Sequence, residues 1–229
     1  MERKNRVRFL VGAAAVTVGL LCTWHLLARA NSARVCQAVE QVMEKAYAVK
    51  KSPVGQRIVA KLGDFRITYG DVVVLAQELA CYQKKNPAAV RPVTPRDLQN
   101  GFNALTVTAL TAMAAKDRGV KPDWMEVAAK RRIELDAMAQ SGDGAIRGVA
   151  RARLRHLADD KAYTLMLFAG KEVVSSEEVQ AVLRQKGPVE GNRLVQERAM
   201  ARLKATALKY PLVIYDHTFK RPPWKKAFR

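Results

Sequence analysis

The side chains that most often carry enzyme chemistry are few and scattered in this chain of 229 residues. The three histidines, His25, His156 and His217, lie far apart, and no His-x-x-x-His or Cys-x-x-Cys spacing occurs. The adjacent carboxylates Asp159 and Asp160 would point about 100° apart on a helix, so a solvated ion pair with Lys161 or Arg155 is the simplest interpretation. The sequence also has no phosphate-binding loop and no nucleophile motif. It therefore predicts no catalytic, cofactor-binding or metal site, and favours a protein that is not an enzyme.

Three cysteines are too few for a disulfide framework. Cys22 lies in an apolar segment near the N-terminus. Cys36 and Cys81 could pair in an oxidising compartment or act as small apolar side chains, and the sequence leaves both interpretations open.

The chain is strongly basic, with a formal net charge of +19. Residues 1–30 hold five of the 40 basic and one of the 21 acidic side chains, so the remainder carries +15. Such a charge indicates an anionic partner, such as an acidic polypeptide, a lipid surface or nucleic acid, or a solvated helical surface. No basic motif interleaved with aromatic residues is present, and a nucleic-acid partner is not expected.

Residues 1–30 have the pattern of a membrane anchor. Four basic residues precede an uncharged stretch of 19 residues, 9–27, which is long enough to cross a bilayer as a helix. The positive-inside rule predicts a cytoplasmic N-terminus and an exported main domain. The alternative is a secretory leader that is cleaved near Ala30, after the small-x-small sequence that begins at Ala28.

The rest of the chain is predicted to be a series of capped helices. Residues 31–56 form a helical stalk or linker, with an apolar face that includes Val35, Val39 and Met43. Later helices begin at residues that can cap them and end at glycine or proline. The predicted caps are Thr68, Thr94, Asp123 and Ser175, and the stops are Gly119, Gly142 and Gly187-Pro188. A single helix is expected from Ala145 to about Lys171.

Two lone strands flank this helical region. The first covers Arg57 to Leu62 and precedes a Gly63-Asp64 turn, and the second lies within Tyr210 to Asp216. Unpaired strands would leave backbone donors and acceptors without partners. We therefore expect a mainly α fold with a small two-stranded sheet that pairs the N- and C-terminal strands.

The order of these motifs resembles the N-terminal chaperone domain of SurA-type periplasmic folding factors. The resemblance covers residues 57–216 and depends on four motifs, none of which is specific alone. They are Ile58-Val59-Ala60-Lys61-Leu62-Gly63-Asp64 with Ile67-Thr68, Ala115-Lys116-Asp117-Arg118-Gly119-Val120, Val174-Ser175-Ser176-Glu177-Glu178-Val179, and a basic helix with a valine-rich strand from Asn192 to Asp216. One departure is Asp64-Phe65-Arg66, where these domains usually have one or two residues.

The resemblance implies a polypeptide-holding module without catalysis. In these proteins a parvulin-type prolyl isomerase module commonly lies between the third motif and the last helix. Only Gly187 to Gly191 separates the two helices here, which is too short for a domain.

The sequence thus predicts a membrane-anchored, exported, chaperone-like protein, which binds unfolded or assembling envelope proteins and lies in a bacterial inner membrane through residues 9–27. The alternative is a structural scaffold subunit of an envelope secretion or conjugation machine. No client-binding residue is assigned. The candidates are methionines, which repack around varied partners: Met113, Met125, Met138, Met166 and Met200. Residues 217–229 are expected to be a basic, disordered tail.

Overall fold

The computed structural model describes residues 28–82, 84 and 86–222, and this part of the chain is mainly helical with a small antiparallel sheet. The first helix, α1, covers residues 28–51 of the described part. The elements that follow are β1 (Ile58–Leu62), β2 (Phe65–Thr68), α2 (Tyr69–Tyr82), α3 (Pro95–Asp117), α4 (Trp124–Ala139), α5 (Gly144–Arg155), α6 (Lys161–Lys171), α7 (Ser176–Lys209) and β3 (Leu212–Ile214). The predicted mainly α class is confirmed.

Five helices form a closed ring. Around it α2 packs on α3, α3 on α6, α6 on α4, α4 on α5, and α5 on α2. Helix α3 begins at a capping box of Thr94 and Asp97, as its sequence predicts. Its buried side includes Phe102, Leu105 and Met113, which recur at helical spacing. Burial of each large apolar side chain contributes about 1.5–3 kcal/mol to folding.

Helix α1 packs on two of these helices, α2 and α5. Its side chains Val35, Val39, Met43 and Tyr47 are buried against α2 and α5. The structure therefore places residues 31–56, predicted to be a stalk or linker, within the packed domain. The physical reason is that removing the apolar face of α1 from water lowers the free energy, whereas a free-standing stalk would leave this face exposed.

Two glycines of α5 allow α1 to approach closely. A Cβ atom at Gly144 would lie 2.0 Å from the backbone oxygen of Ser32, and one at Gly148 would lie 2.7 Å from the backbone oxygen of Cys36. These contacts, four residues apart on each helix, mean that α1 and α5 run side by side in the same direction. Larger side chains at the two glycines would separate the helices.

The terminal strands pair as predicted, and a third strand joins them. β1 and β3 are antiparallel, with Lys61 opposite Val213. β2 pairs with the other edge of β1 through a tight hairpin in which Leu62 lies opposite Phe65. Gly63 in this hairpin has a φ of +55°, a left-handed conformation that glycine adopts readily. The sheet order is β2-β1-β3, so the expectation of two strands was one strand short.

The single helix expected from Ala145 to Lys171 is wrong. The structure has two helices, α5 and α6, separated by a turn at residues 156–160. The turn directs Asp160 into the interior and allows α6 to pack on both α3 and α4. Buried tertiary contacts thus override a sequence in which each residue is compatible with a continuous helix.

Helix α7 is bent back on itself at Gly187. This residue has a φ of +74° and a ψ of 171°, outside helical values. Glu178 lies 3.0 Å from Arg198 and 2.9 Å from Arg202, although a straight helix would separate residues 20 positions apart by about 30 Å. The helix therefore forms an antiparallel hairpin, the α7 hairpin, with a first arm at residues 176–186 and a second arm at 188–209. The predicted stop at Gly187-Pro188 marks this bend.

The C-terminal segment is packed as far as Pro222. Phe219 is 6% exposed and joins the core between α2 and α3, and Pro222 is also buried. This part of the predicted disordered tail, residues 217–222, is therefore ordered, because an aromatic side chain anchors it.

No helix within the described residues is long and apolar enough to cross a membrane. The predicted anchor at residues 9–27 lies outside them.

Candidate functional site

The five candidate methionines divide into core and surface residues. Met113 and Met166 are buried in the main apolar core, and Met138 is half-buried against a smaller cluster. Met125 and Met200 are exposed on α4 and α7. Only these two are available for a partner in the folded domain.

Exposed apolar side chains on α4 form a continuous ridge, the α4 ridge. Met125, Ala129, Ile133 and Ala137 follow one another at intervals of four, which places them on one side of the helix. Met125 is 75% exposed and Ile133 is 70% exposed. The helical spacing of Val127, Ile133 and Met138 predicts one shared apolar face of this helix, but the structure buries Val127 and leaves Ile133 exposed.

Charged side chains frame the α4 ridge. Lys130 and Glu126 form an ion pair of 2.5 Å beside it, and Glu134 binds Arg131 at 3.0 Å and Lys171 at 2.8 Å. An apolar strip between charged residues is a common arrangement for reversible binding of an apolar partner.

The α7 hairpin presents a second apolar surface. It rests on the body mainly through α3. Val189 at its bend and Met200 are exposed, and Leu208 near its end is 80% exposed. The inner side is held by packing of Val195 and Leu203 on Val173 and Val174, and by the ion pairs of Glu178. The hairpin is thus a supported arm with an open outer face.

One cluster of charged side chains lies mostly in the interior, and we call it the buried ionic centre. It consists of Lys50, Asp71, Glu78, Arg153 and Asp160. These side chains come from the end of α1, both halves of α2, the end of α5, and the residue before α6. The centre therefore joins four helices, and its outermost residues, Lys50 and Asp160, are 110 positions apart in the sequence.

Arg153 lies in the middle of this centre. Its Nε donates to Oε2 of Glu78 at 3.0 Å and its Nη1 donates to Oδ2 of Asp160 at 2.5 Å. The guanidinium lies 4.9 Å from the ring centroid of Tyr163, within cation–π range. Burial alone would lower the pKa of Arg153, but the carboxylates of Glu78 and Asp160 raise that pKa well above its ordinary value. The arginine is therefore a permanent cation that bridges two carboxylates.

Asp160 receives three donors. Lys50 Nζ lies 2.8 Å from its Oδ1, while Arg153 and the hydroxyl of Tyr47 donate to its Oδ2. Burial alone would raise the pKa of Asp160, but the charges of Arg153 and Lys50 hold it below its ordinary value. Lys50 also lies 2.9 Å from Asp71, which accepts a hydrogen bond from the N-cap residue of α2. Lys50 of α1 thus links Asp160 to Asp71 of α2 through two ion pairs.

The buried ionic centre has no room for a substrate. The adjoining cavity has a volume of about 10 Å³, roughly the least that one water molecule needs. Its carboxylates are already paired with cations. We therefore assign the centre a structural role, as a polar cross-link of the helices around it.

His156 and Asp159 lie beside this centre, whereas Asp160 belongs to it. His156 lies between Glu44, 2.7 Å from its Nε2, and Asp159, 2.8 Å from its Nδ1, and its ring stacks on Tyr47. Asp159 forms a partly exposed ion pair, but with Lys51 of α1 in place of the expected Lys161 or Arg155, and Asp160 is buried. The interpretation of Asp160 as solvated was wrong, because the turn before α6 directs its side chain inward.

The two cysteines of the described chain are both free and buried. Cys36 donates to Oε1 of Glu40 at 3.3 Å, and burial raises the pKa of its thiol. It lines an open polar groove of about 510 Å³ between α1, α4 and α5. A raised thiol pKa disfavours the nucleophilic thiolate, so the groove has no activated cysteine.

No group of three or more histidine, cysteine or acidic side chains in the described ranges could hold a metal ion.

Comparison of the chain with protein-family models, with curated proteins and with solved structures found no significant match.

Proposed function

We propose that this protein is a membrane-anchored, exported, chaperone-like protein that binds unfolded or assembling polypeptides without catalysis. The observation that carries the proposal is the exposed apolar surface of the α4 ridge and the α7 hairpin. A holding chaperone needs such a surface, framed by charges, to bind apolar segments weakly and reversibly. The resemblance of residues 57–216 to SurA-type chaperone domains supports the same function.

Client binding should depend on apolar contact more than on charge. The protein lacking residues 1–30 should slow the aggregation of a denatured test protein, measured by light scattering. The protection should persist at 1 M salt, where the Debye length is only about 3 Å. Replacement of Met125 and Ile133 by serine should reduce it, whereas Arg132→Ser, at an exposed position of the same helix, should not.

Other outcomes would redirect the proposal. Protection that disappears at high salt and extends only to acidic clients would assign binding to the positive charge. A protein that protects no client, but is recovered with one fixed set of membrane partners, would favour the scaffold alternative.

The absence of isomerase activity belongs to the same proposal. The chain between the two arms of α7 makes only the bend at Gly187, where an isomerase module would have to be inserted. A prolyl-peptide assay should therefore show only the slow uncatalysed exchange.

Anchorage in a membrane through residues 9–27 is the last part of the proposed function. The basic residues before Phe9 and the apolar span support an exported domain. A reporter that is active only outside the cytoplasm should be active when it is fused after Arg229. Activity of a cytoplasm-only reporter at this position would contradict the topology.

A further inference from the structure

The C-terminal segment, residues 216–222, lies in a groove that has the features of a peptide-binding site. The segment follows β3 and turns at residues 216–219, where the backbone N–H of Phe219 donates to the carbonyl of Asp216 at 3.1 Å. The turn places Phe219 against α2 and α3. Three kinds of contact hold it there: an aromatic pocket, a clamp on its backbone and an ion pair.

The aromatic pocket receives Phe219. The ring of Phe219 stacks on Phe102 with centroids 4.7 Å apart, and lies tilted against Tyr69 at 6.5 Å. Such contacts between aromatic rings add to the favourable burial of the side chain. Phe219 is the main anchor of the segment, since its neighbours Thr218 and Lys220 are exposed.

Gln99 of α3 clamps the backbone of the next residue. Its Oε1 accepts from the backbone N–H of Lys220 at 2.8 Å, and its Nε2 donates to the backbone carbonyl of Lys220 at 3.0 Å. Both bonds are made to the main chain, so the clamp would accept any residue except proline at this position. Main-chain contacts of this kind hold a bound peptide whatever its side chain at that position.

An ion pair fixes the start of the segment. Arg57, just before β1, lies 2.7 Å from the carboxylate of Asp216, three residues before Phe219. On the other side of the aromatic residue, Arg221 donates to the backbone carbonyl of Leu212 at 3.2 Å. The groove is thus complementary to an acidic residue, two variable residues and an aromatic residue.

We propose that this groove is a peptide-binding site, and that the C-terminal segment occupies it until a client segment with the pattern acidic-x-x-aromatic, in the same turn conformation, replaces it. This inference rests on the proposed function, and supplies the class of client sequence. None of the contacts above depends on the segment being continuous with β3. The paired residues of β3 end at Ile214, and the backbone N–H groups of Tyr215 and Asp216 also donate to the carbonyl of Val59 at 2.9 and 3.2 Å. Departure of residues 216–222 would therefore break one hydrogen bond to β1 and leave the pairing of β1 and β3 intact.

The test uses a fluorescent peptide with the sequence of residues 215–222 and the full chain in mild detergent, with binding measured by fluorescence anisotropy. The wild-type groove is occupied in cis, at a high effective concentration. Phe219→Ala removes the anchor of the resident segment, so the peptide should bind this variant about 10-fold or more tightly than wild type. His217→Ala, at an exposed position of the same segment, should behave as wild type.

The peptide sequence supplies the second arm of the test. A peptide with alanine in place of its phenylalanine should lose binding about 10-fold or more, and one with alanine in place of its aspartate should bind more weakly. Lys220→Pro, which removes from the resident segment the backbone N–H that donates to Gln99 and leaves the groove unchanged, should raise peptide binding and covers the case in which Phe219→Ala does not fold.

Three results would overturn the inference: equal binding of the peptide and its alanine form, no binding to either variant, or a dimer that exchanges the segment between two copies. The proposed function is tested separately by protection from aggregation. Protection without peptide binding would reject this groove alone, whereas peptide binding without protection would reject the chaperone role alone.

Discussion

Arg153 shows how one buried charge can organise several helices. It is 3% exposed and pairs with carboxylates from α2 and from the start of α6. Burial of charges costs several kcal/mol per ion, and close pairing only offsets that cost. The contribution of Arg153 to the free energy of unfolding is therefore best measured by removing this side chain, which leaves the charges of Glu78 and Asp160 buried without it.

Replacement of Arg153 by methionine should destabilise the protein by about 3–5 kcal/mol. Methionine fills much of the space but leaves Glu78 and Asp160 without their shared cation. Urea unfolding followed by circular dichroism measures the change. Arg151→Met is the matched control, because this side chain is half exposed and lies 3.5 Å from Glu40, and a change of about 0.5 kcal/mol or less is expected. Equal effects of the two variants would contradict the structural role of the centre.

The sequence partly indicates that Arg153 is buried. On α5 the buried positions Ala145, Val149 and Ala152 define a stripe, and Arg153 falls on it whereas Arg151 and Arg155 do not. The partners Lys50, Glu78 and Asp160 could not be predicted in the same way. Their meeting depends on the tertiary arrangement of three other helices, and no local pattern encodes it.

At the scale of elements, the contact between α1 and α5 depends on the absence of side chains at two positions. Gly144→Ala should destabilise the protein by about 1–3 kcal/mol or more, because the new Cβ would meet the backbone of α1 and not a flexible side chain. Thermal unfolding measures the effect.

Gly142→Ala provides the comparison for this prediction. A Cβ at Gly142 would have no atom within 4 Å, and the residue does not have a positive φ. Its effect should be within about 0.5 kcal/mol. Similar losses for Gly142→Ala and Gly144→Ala would mean that the close helix contact is not what makes Gly144 necessary.

Elements that begin and end at local features were the ones predicted well. The caps Thr94, Asp123 and Ser175 each accept a backbone hydrogen bond from the third residue after them, as their sequence spacing indicates. The break between α5 and α6 and the exposure of Ile133 were missed. Both depend on which other helices pack against the segment. The apolar pattern along one helix therefore could not distinguish a broken helix from a continuous one, or an exposed Ile133 from a buried one.

At the scale of the whole molecule, the carboxylates predict how stability depends on pH. Hydrogen bonds from Arg202 lower the pKa of Glu178, and basic partners lower those of Glu44, Asp159 and Asp160 despite burial, which acts in the opposite direction. A pKa that is lower in the folded state stabilises it above the ordinary pKa of the group, and this contribution is lost as the pH falls.

The free energy of unfolding should therefore be nearly constant between pH 7 and about pH 5.5 and decrease below about pH 4.5, because the ordinary pKa values are 3.8 for aspartate and 4.5 for glutamate. Urea unfolding at several pH values measures this. Glu178→Gln should lower the stability at pH 7 and make the decrease with acid shallower. A wild-type stability that is unchanged down to pH 3 would contradict the prediction.

The bend at Gly187 has a consequence for how this fold could be elaborated. The two arms of α7 meet there, so the chain leaves the body and returns at adjacent points, and a Cβ at Gly187 would have no atom within 4 Å. A foreign domain grafted between Gly187 and Pro188 would have neighbouring ends to join and no packed neighbour to displace. Its cost would be mainly loop-closure entropy, which grows only by about 0.6 kcal/mol for each doubling of loop length. This bend is thus a position at which the fold could accept a new module.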